Sequence, residues 1–222
     1  MQQEMDNKSL WFSSIFIALF IISFAPIALC QEVDDEHEFS YDVNSHNGPD
    51  HWGEIHPEWN LCNHGDMQSP IDLMHKRVQT TSELGKLDRD YKPANATLLN
   101  RGHDMMLRWI GGAGHIHVNG TEYHLNQLHW HTPTEHTVNG RRFNLELHLV
   151  HESIDGKVAV IGIMYKIGRH DSLLSMVRTV SREQVHMIRE AVHDDAEINA
   201  RPVQTLNNRW LKLYRPDDDQ NN

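Results

Sequence analysis

From residue 96 to residue 166, apolar and polar positions alternate with a period of two, interrupted by Gly, Asn and Asp, the signature of half-buried strands joined by tight turns. The pattern predicts strands at 96–100, 105–110, 115–118, 122–131, 143–151 and 158–166. Turns fall at Gly102, Gly111-Gly112, Asn119-Gly120, Asn139-Gly140 and Asp155-Gly156. Only 182–192 changes to a helical period, with Val185, Ile188 and Val192 on one stripe and Ser181 with Gln184 forming a capping box. The expected fold is mostly β: a large twisted antiparallel sheet with few short helices.

The ends carry a different pattern. Residues 10–29 are apolar and uncharged, and they close on Ala28-Leu29-Cys30 ahead of an acidic stretch. About 20 apolar residues can span a bilayer, but Pro26, the serines and the small residues at the end favour a cleavable secretory signal. The expected organisation is therefore a signal at 1–30, an acidic flexible segment at 31–45, one domain at 46–215 and an acidic tail at 216–222, with no stable membrane span after cleavage. Sequons at Asn95 and Asn119 predict a glycoprotein. Beyond Cys30 the only thiol is Cys62, which in an oxidising compartment lacks a partner or is buried free.

Charge removes one class of partner. Against 20 Lys and Arg stand 31 Asp and Glu, a net charge of −11 that repels nucleic acid, and no basic cluster compensates. The 18 His are more than packing requires and point to metal or proton chemistry.

Periodicity gathers some of them. In Gln127-Leu-His129-Trp-His131 the polar residues share one strand face, and in Asn144-Leu-Glu146-Leu-His148-Leu-Val150 Glu146, His148 and Val150 do the same, each opposite an apolar face. Val138-Asn-Gly-Arg141 reads as a two-residue hairpin whose register sets His131 opposite His148. A bulge at Pro133 would move the pairing by two and set His129 there instead. In either register three imidazoles converge, since facing Cβ atoms lie about 5 Å apart. Three neutral His without a fourth protein ligand describe a catalytic Zn2+ site with one position for water, whose pKa zinc lowers to about 7. Gln127 and Glu146 stand where they can orient the second ring nitrogens. No H-E-x-x-H helix or Ser nucleophile elbow points to a hydrolase.

These residues, together with Glu135-His-Thr-Val-Asn-Gly140, Met67-Gln-Ser-Pro-Ile-Asp72, Asn100-Arg-Gly-His103, Val177-Arg-Thr-Val-Ser-Arg-Glu-Gln184 and Asn199-Ala-Arg-Pro-Val-Gln204, closely resemble the α-class carbonic anhydrases, especially the plant branch. The resemblance implies zinc on His129, His131 and His148, with Gln127, Glu146 and the backbone carbonyl of Asn199 orienting them. It implies hydration of carbon dioxide to bicarbonate by zinc-bound hydroxide, with His103 as proton shuttle, Glu135 as the buried glutamate of the active site, and Val150 and Val160 as the wall beside the substrate. The plant resemblance adds the chloroplast stroma to the extracellular space as a destination.

One departure matters. After Lys-Ile-Gly168 the family continues for several dozen residues before Val177-Arg-Thr-Val180, where only 169–176 stand here. The absent stretch holds the family's Ser-Leu-Thr-Thr-Pro-Pro-Cys segment: the threonine that passes its proton to the glutamate, part of the substrate pocket, and the cysteine that pairs with the one matched by Cys62. The resemblance thus implies an incomplete sheet and weakened turnover. The opposing readings are a non-catalytic zinc-binding or storage-like relative, and a truncated product without activity.

Overall fold

The computed structural model describes residues 38–81, 86–168, 179–193 and 196–214. The expected signal, the junction 169–176 and the tail lie outside the described residues, as does Cys30. In chain order come short helices α1 (Trp52–Ile55) and α2 (Leu61–His64), then strands β1 (Asp72–Leu73), β2 (Val78–Thr80), β3 (Asp88–Tyr91), β4 (Ala96–Asn100), β5 (Met105–Trp109) and β6 (Gly114–Val118). There follow β7 (Thr121–His131), β8 (Thr137–Val138), β9 (Leu145–Glu152), β10 (Val158–Ile167), β11 (Thr179–Val180), helix α3 (Arg182–Ala191) and β12 (Leu211–Leu213). Each strand expected from alternation is present, to within two residues at either end. The two- to four-residue strands escaped because so short a segment has no readable period.

Eight strands form one sheet in the order β11-β10-β9-β7-β5-β4, with β6 pairing the first half of β7 and β3 pairing β6. All its ladders are antiparallel except β10 with β11. Small parallel pairs, β1 with β8 and β2 with β12, lie apart from it. Among the described residues no helix is long and apolar enough to cross a membrane.

The core lies on one face of the sheet. Leu128, Leu145, Leu147 and Tyr165 pack with Val180 of β11 and Val185 of α3, and Trp130, Leu149, Ile163 and Ile188 close around them. Cutting such a buried leucine to alanine costs about 2–5 kcal/mol. Helix α3 starts where its capping box places it: Ser181 Oγ accepts from Gln184 N at 3.1 Å, and Ser181 N donates to Gln184 Oε1 at 3.0 Å. Arg189 Nε then donates to Thr132 Oγ1 at 3.0 Å, tying the helix to the end of β7.

Of the two registers expected, the one shifted by two is formed: the ladder pairs His129 with His148 and His131 with Glu146, not His131 with His148. Val138 and Arg141 do bridge across Asn139-Gly140, but β8 has left β7 to pair with β1, because Pro133 has no N–H for the ladder. The acidic segment expected at 31–45 is also not wholly solvated. Phe39 and Tyr41 meet Trp52 edge-on at 5.4 Å, and Trp52 Nε1 donates to Ser40 O at 3.0 Å, so aromatic burial draws this end of the segment onto the domain.

Behind the site, His151 on β9 is fully buried. Its Nδ1 donates to Ala159 O at 3.2 Å, so the neutral ring accepts at Nε2 from the Tyr91 hydroxyl at 2.9 Å. Tyr91→Phe leaves that nitrogen unsatisfied and is expected to cost about 1–3 kcal/mol in urea unfolding. Burial lowers the His151 pKa below its ordinary 6.5. A depressed histidine pKa stabilises fully above the unfolded value, and that contribution is lost as pH falls through the folded one. Melting temperature should therefore fall more steeply from pH 7 to pH 5 in the wild type than in His151→Gln.

Candidate active site

The face of β7 and β9 opposite the leucines carries three cross-strand pairs: Gln127 with Val150, His129 with His148, and His131 with Glu146. The three imidazoles are buried, with ring centroids 5.0 Å apart for 129 and 131, 5.2 Å for 129 and 148, and 4.7 Å for 131 and 148. One nitrogen from each ring lies within 4.8 Å of the other two.

What makes this a ligand set is the opposite nitrogen of each ring. His129 Nδ1 meets Gln127 Oε1 at 3.1 Å, His131 Nδ1 meets Asn199 O at 2.7 Å, and His148 Nε2 meets Glu146 Oε1 at 3.0 Å. All three partners are oxygens, so each ring donates an N–H there, and a neutral ring then carries its lone pair on the other nitrogen. Burial, followed by repulsion from His131 and His148, holds the His129 pKa well below its ordinary value and keeps the ring neutral. His131 Nε2 is buried and has no hydrogen-bond partner, a costly orphan in a folded protein that a cation would satisfy.

Two of the three orienting groups are themselves held, whereas the buried Gln127 Nε2 has no hydrogen-bond partner. Asn199 lies in a loop yet is fixed from four sides: its N–H donates to Thr132 O at 3.2 Å, its Oδ1 accepts from Thr132 N at 2.7 Å, and its Nδ2 donates to Trp130 O at 3.0 Å and His103 O at 2.9 Å. Burial opposes charge on Glu146, but hydrogen bonds from His136 and His148 outweigh it and keep the carboxyl ionised far below the usual range. His136 supplies both its backbone N–H, to Oε2 at 2.9 Å, and its Nδ1, to Oε1 at 2.7 Å. Alternation could not find His136, which lies between strands; its place directly after Glu135 was the only signal. Gly162 leaves room for the same carboxylate, because a Cβ there would lie 3.0 Å from Glu146 Oε1 and crowd it.

The histidines open into a cavity of about 570 Å3, lined also by Glu135, Glu146 and Val160. Glu135 Oε1 accepts from Arg201 N at 2.9 Å, and its Oε2 lies 3.6 Å from His131 Nε2. Val160 pairs with Val150 across β10 and β9; Val150 is half-buried outside the cavity lining, whereas Val160 is 52% exposed at the cavity mouth. His103 does not line the cavity. It is buried beside Phe39, at 5.0 Å between ring centroids, in a loop closed by the Arg101–Asp104 ion pair, and burial lowers its pKa. Cys62 is half-buried and free among the described residues.

A buried three-imidazole centre with oxygen-anchored rings, on the face of a mostly β sheet, defines a metalloenzyme-type site. Residues 47–177 match the family model described as eukaryotic-type carbonic anhydrase, and the chain belongs to that family, whose enzymes are carbonate dehydratases. Alpha carbonic anhydrase 7 of Arabidopsis thaliana is 44% identical over 264 residues, covering 93% of this chain and 96% of the relative. Alpha carbonic anhydrase 2 of the same plant is 58% identical over 170 residues, covering 73% and 69%. Among solved structures, dioscorin complexed with ascorbate superposes with a TM-score of 0.73 at 35% identity, covering 79% of this chain and 99% of that one. A hyperthermostable carbonic anhydrase from a hydrothermal vent chimney gives 0.72 at 26% identity, covering 80% and 100%. The family is in general zinc-dependent, and the donor set here fits that ion.

Removing a carboxylate behind a metal-binding imidazole lowers affinity about 10–100-fold. Glu146→Ala is expected to weaken Zn2+ binding at the triad by that factor, measured by competition against a chromogenic chelator, while unfolding stays cooperative.

Proposed function

We propose that this chain holds Zn2+ on His129, His131 and His148 and hydrates carbon dioxide, more slowly than its full-length relatives. The observation that carries the reading is the convergence of three imidazoles whose opposite nitrogens are all anchored on oxygen. When bound, zinc supplies Lewis acidity that brings the pKa of a coordinated water to about 7. The chain's own residues do the rest. Gln127, Asn199 and Glu146 keep the ring N–H protons away from the metal. Glu135, fixed by the Arg201 N–H and facing His131, is the acceptor that would orient a hydroxyl group beside the metal. Val160, with Val150 next to it on β9, gives the weakly polar substrate an apolar wall.

His103 is the candidate to carry the proton outward. Its buried Nδ1 has no hydrogen-bond partner, and its main-chain carbonyl accepts from the Asn199 side chain, which ties the His103 loop to the residue that anchors His131. The depressed pKa makes the ring a poor acceptor for a proton from a metal-bound water, and Phe39 stands against it, so transfer through His103 is expected to be slow.

Reduced turnover is supported by what surrounds Glu135 and Val160. No threonine hydroxyl is among the partners of Glu135 in the described residues, and Val160 is half open to solvent. The 264-residue alignment with alpha carbonic anhydrase 7 is longer than this 222-residue chain, as expected if an internal segment is absent here. A preorganised hydrogen-bonding group of this kind contributes about a hundredfold or more in rate. The expected cellular route is secretory, to the extracellular space or the chloroplast stroma, and the exposure of Asn95 and Asn119 suits glycosylation.

The test is carbon dioxide hydration with zinc analysis, using His148→Ala as the blank. Hydration above the blank, about a hundredfold below alpha carbonic anhydrase 7 of Arabidopsis, is the expected result. Zinc at the triad without hydration would make the chain a zinc-binding relative that has given up turnover; equal zinc and equal rates in wild type and His148→Ala would overturn the reading.

A further inference from the structure

Imidazoles gather a second time, at the end of the sheet where β3, β6 and the first half of β7 pair. His115 and His117 share one face of β6, and the ladder sets His124 opposite His115 and Glu122 opposite His117. From β3, Asp88 stands opposite His117 on its other side. His117 Nε2 is 3.3 Å and His115 Nε2 3.8 Å from Glu122 Oε2, while His124 Nε2 is 3.2 Å from Glu122 Oε1. The two β6 rings are 4.8 Å apart, nearly perpendicular.

These separations are those of metal ligands. Donors held 2.0–2.1 Å from a tetrahedral ion lie roughly 3.3 Å from one another, and His115, His117 and Glu122 offer donor atoms all within 4.8 Å. Small side-chain rotations suffice to bring them onto one ion. Behind His117, Asp88 Oδ2 is 3.6 Å from Nδ1, beyond hydrogen-bond length but close enough for its charge to favour that ring as a ligand. Two imidazoles and a carboxylate favour a borderline transition-metal dication over Ca2+ or Mg2+, which prefer oxygen.

We propose that His115, His117 and Glu122 form a second binding site for a Zn2+-class ion, with His124 on the far oxygen of the carboxylate and Asp88 supporting His117. The site is separate from the buried triad: His124 and His129 are five residues apart on β7, roughly 15 Å along a strand. The histidine and Glu122 side chains are between 27% and 52% exposed and Asp88 is 77% exposed, so the ion exchanges with solvent and binds more weakly than at the triad. Without metal, the same imidazoles stand only at ion-pair distance from Glu122.

The test is equilibrium dialysis of the purified chain against Zn2+, with metal analysis. Wild type is expected to hold two ions, one released at a chelator concentration at least tenfold lower than the other. His115→Gln with His117→Gln, and separately Glu122→Gln, should lose only the weaker ion and leave the circular dichroism spectrum and hydration rate unchanged; His148→Ala should keep it. Cu2+ bound to His148→Ala should show imidazole nitrogen hyperfine coupling that weakens when His115→Gln and His117→Gln are added to that variant. If wild type and the double variant bind the same number of ions, the surface site is refuted whatever happens at the triad. If His148→Ala and wild type lose nothing relative to each other while the double variant loses its only ion, the surface site stands and the triad reading fails.

Discussion

Everything in this structure that bears on chemistry depends on one pairing, His129 against His148. It is a non-local contact between two strands, and it sets the residues on either side: Gln127 against Val150, and His131 against Glu146. Sliding the ladder by one residue would send every ligand into the leucine layer and every leucine to the cavity. The core therefore enforces the register of the site. Leu128, Leu145 and Leu147 have a buried face waiting for them, and the histidines occupy the other face as a consequence.

The second constraint is polar. Three neutral imidazoles buried together are stable only if their N–H groups are satisfied and their lone pairs are either satisfied or used, because an unpaired buried polar group costs about 1–3 kcal/mol. Oxygen acceptors answer the first requirement: a glutamine on β7 and a glutamate on β9, each two residues from its histidine on the same strand, and a backbone carbonyl from a distant loop. The orphan at His131 Nε2 marks the second. Glu146 shows how far the chain goes to keep an anion in this place, with His136 supplying two hydrogen bonds and Gly162 withholding a side chain.

Alternation serves both ends of β7, in two stretches separated by a register shift between Leu125 and Gln127. At its buried end it produces a closed centre anchored from behind, and at its open end it produces the looser His115, His117, His124 and Glu122 cluster. The difference lies in what covers each face. Where the loop bearing Asn199 folds over the strands, ligands become buried and oriented; where the sheet ends in solvent, they remain exposed.

Much of this was legible in the chain itself. Period-two alternation gave the long strands and the face on which Gln127, His129, His131, Glu146 and His148 lie, and the capping box placed the start of α3, because these depend on neighbours one to four residues away. The resemblance carried by motifs such as Gln127-Leu-His-Trp-His131 pointed to the family. The register did not follow from local rules: the Asn139-Gly140 turn pairs as its residues dictate, yet Pro133 and the pairing of β8 with β1 detach that turn from the β7–β9 ladder. Nor could local sequence reveal His136 at Glu146, Phe39 against His103, or Asp88 behind His117. Those contacts join residues 10 to 64 positions apart, and only the packing of the whole sheet decides which of them meet.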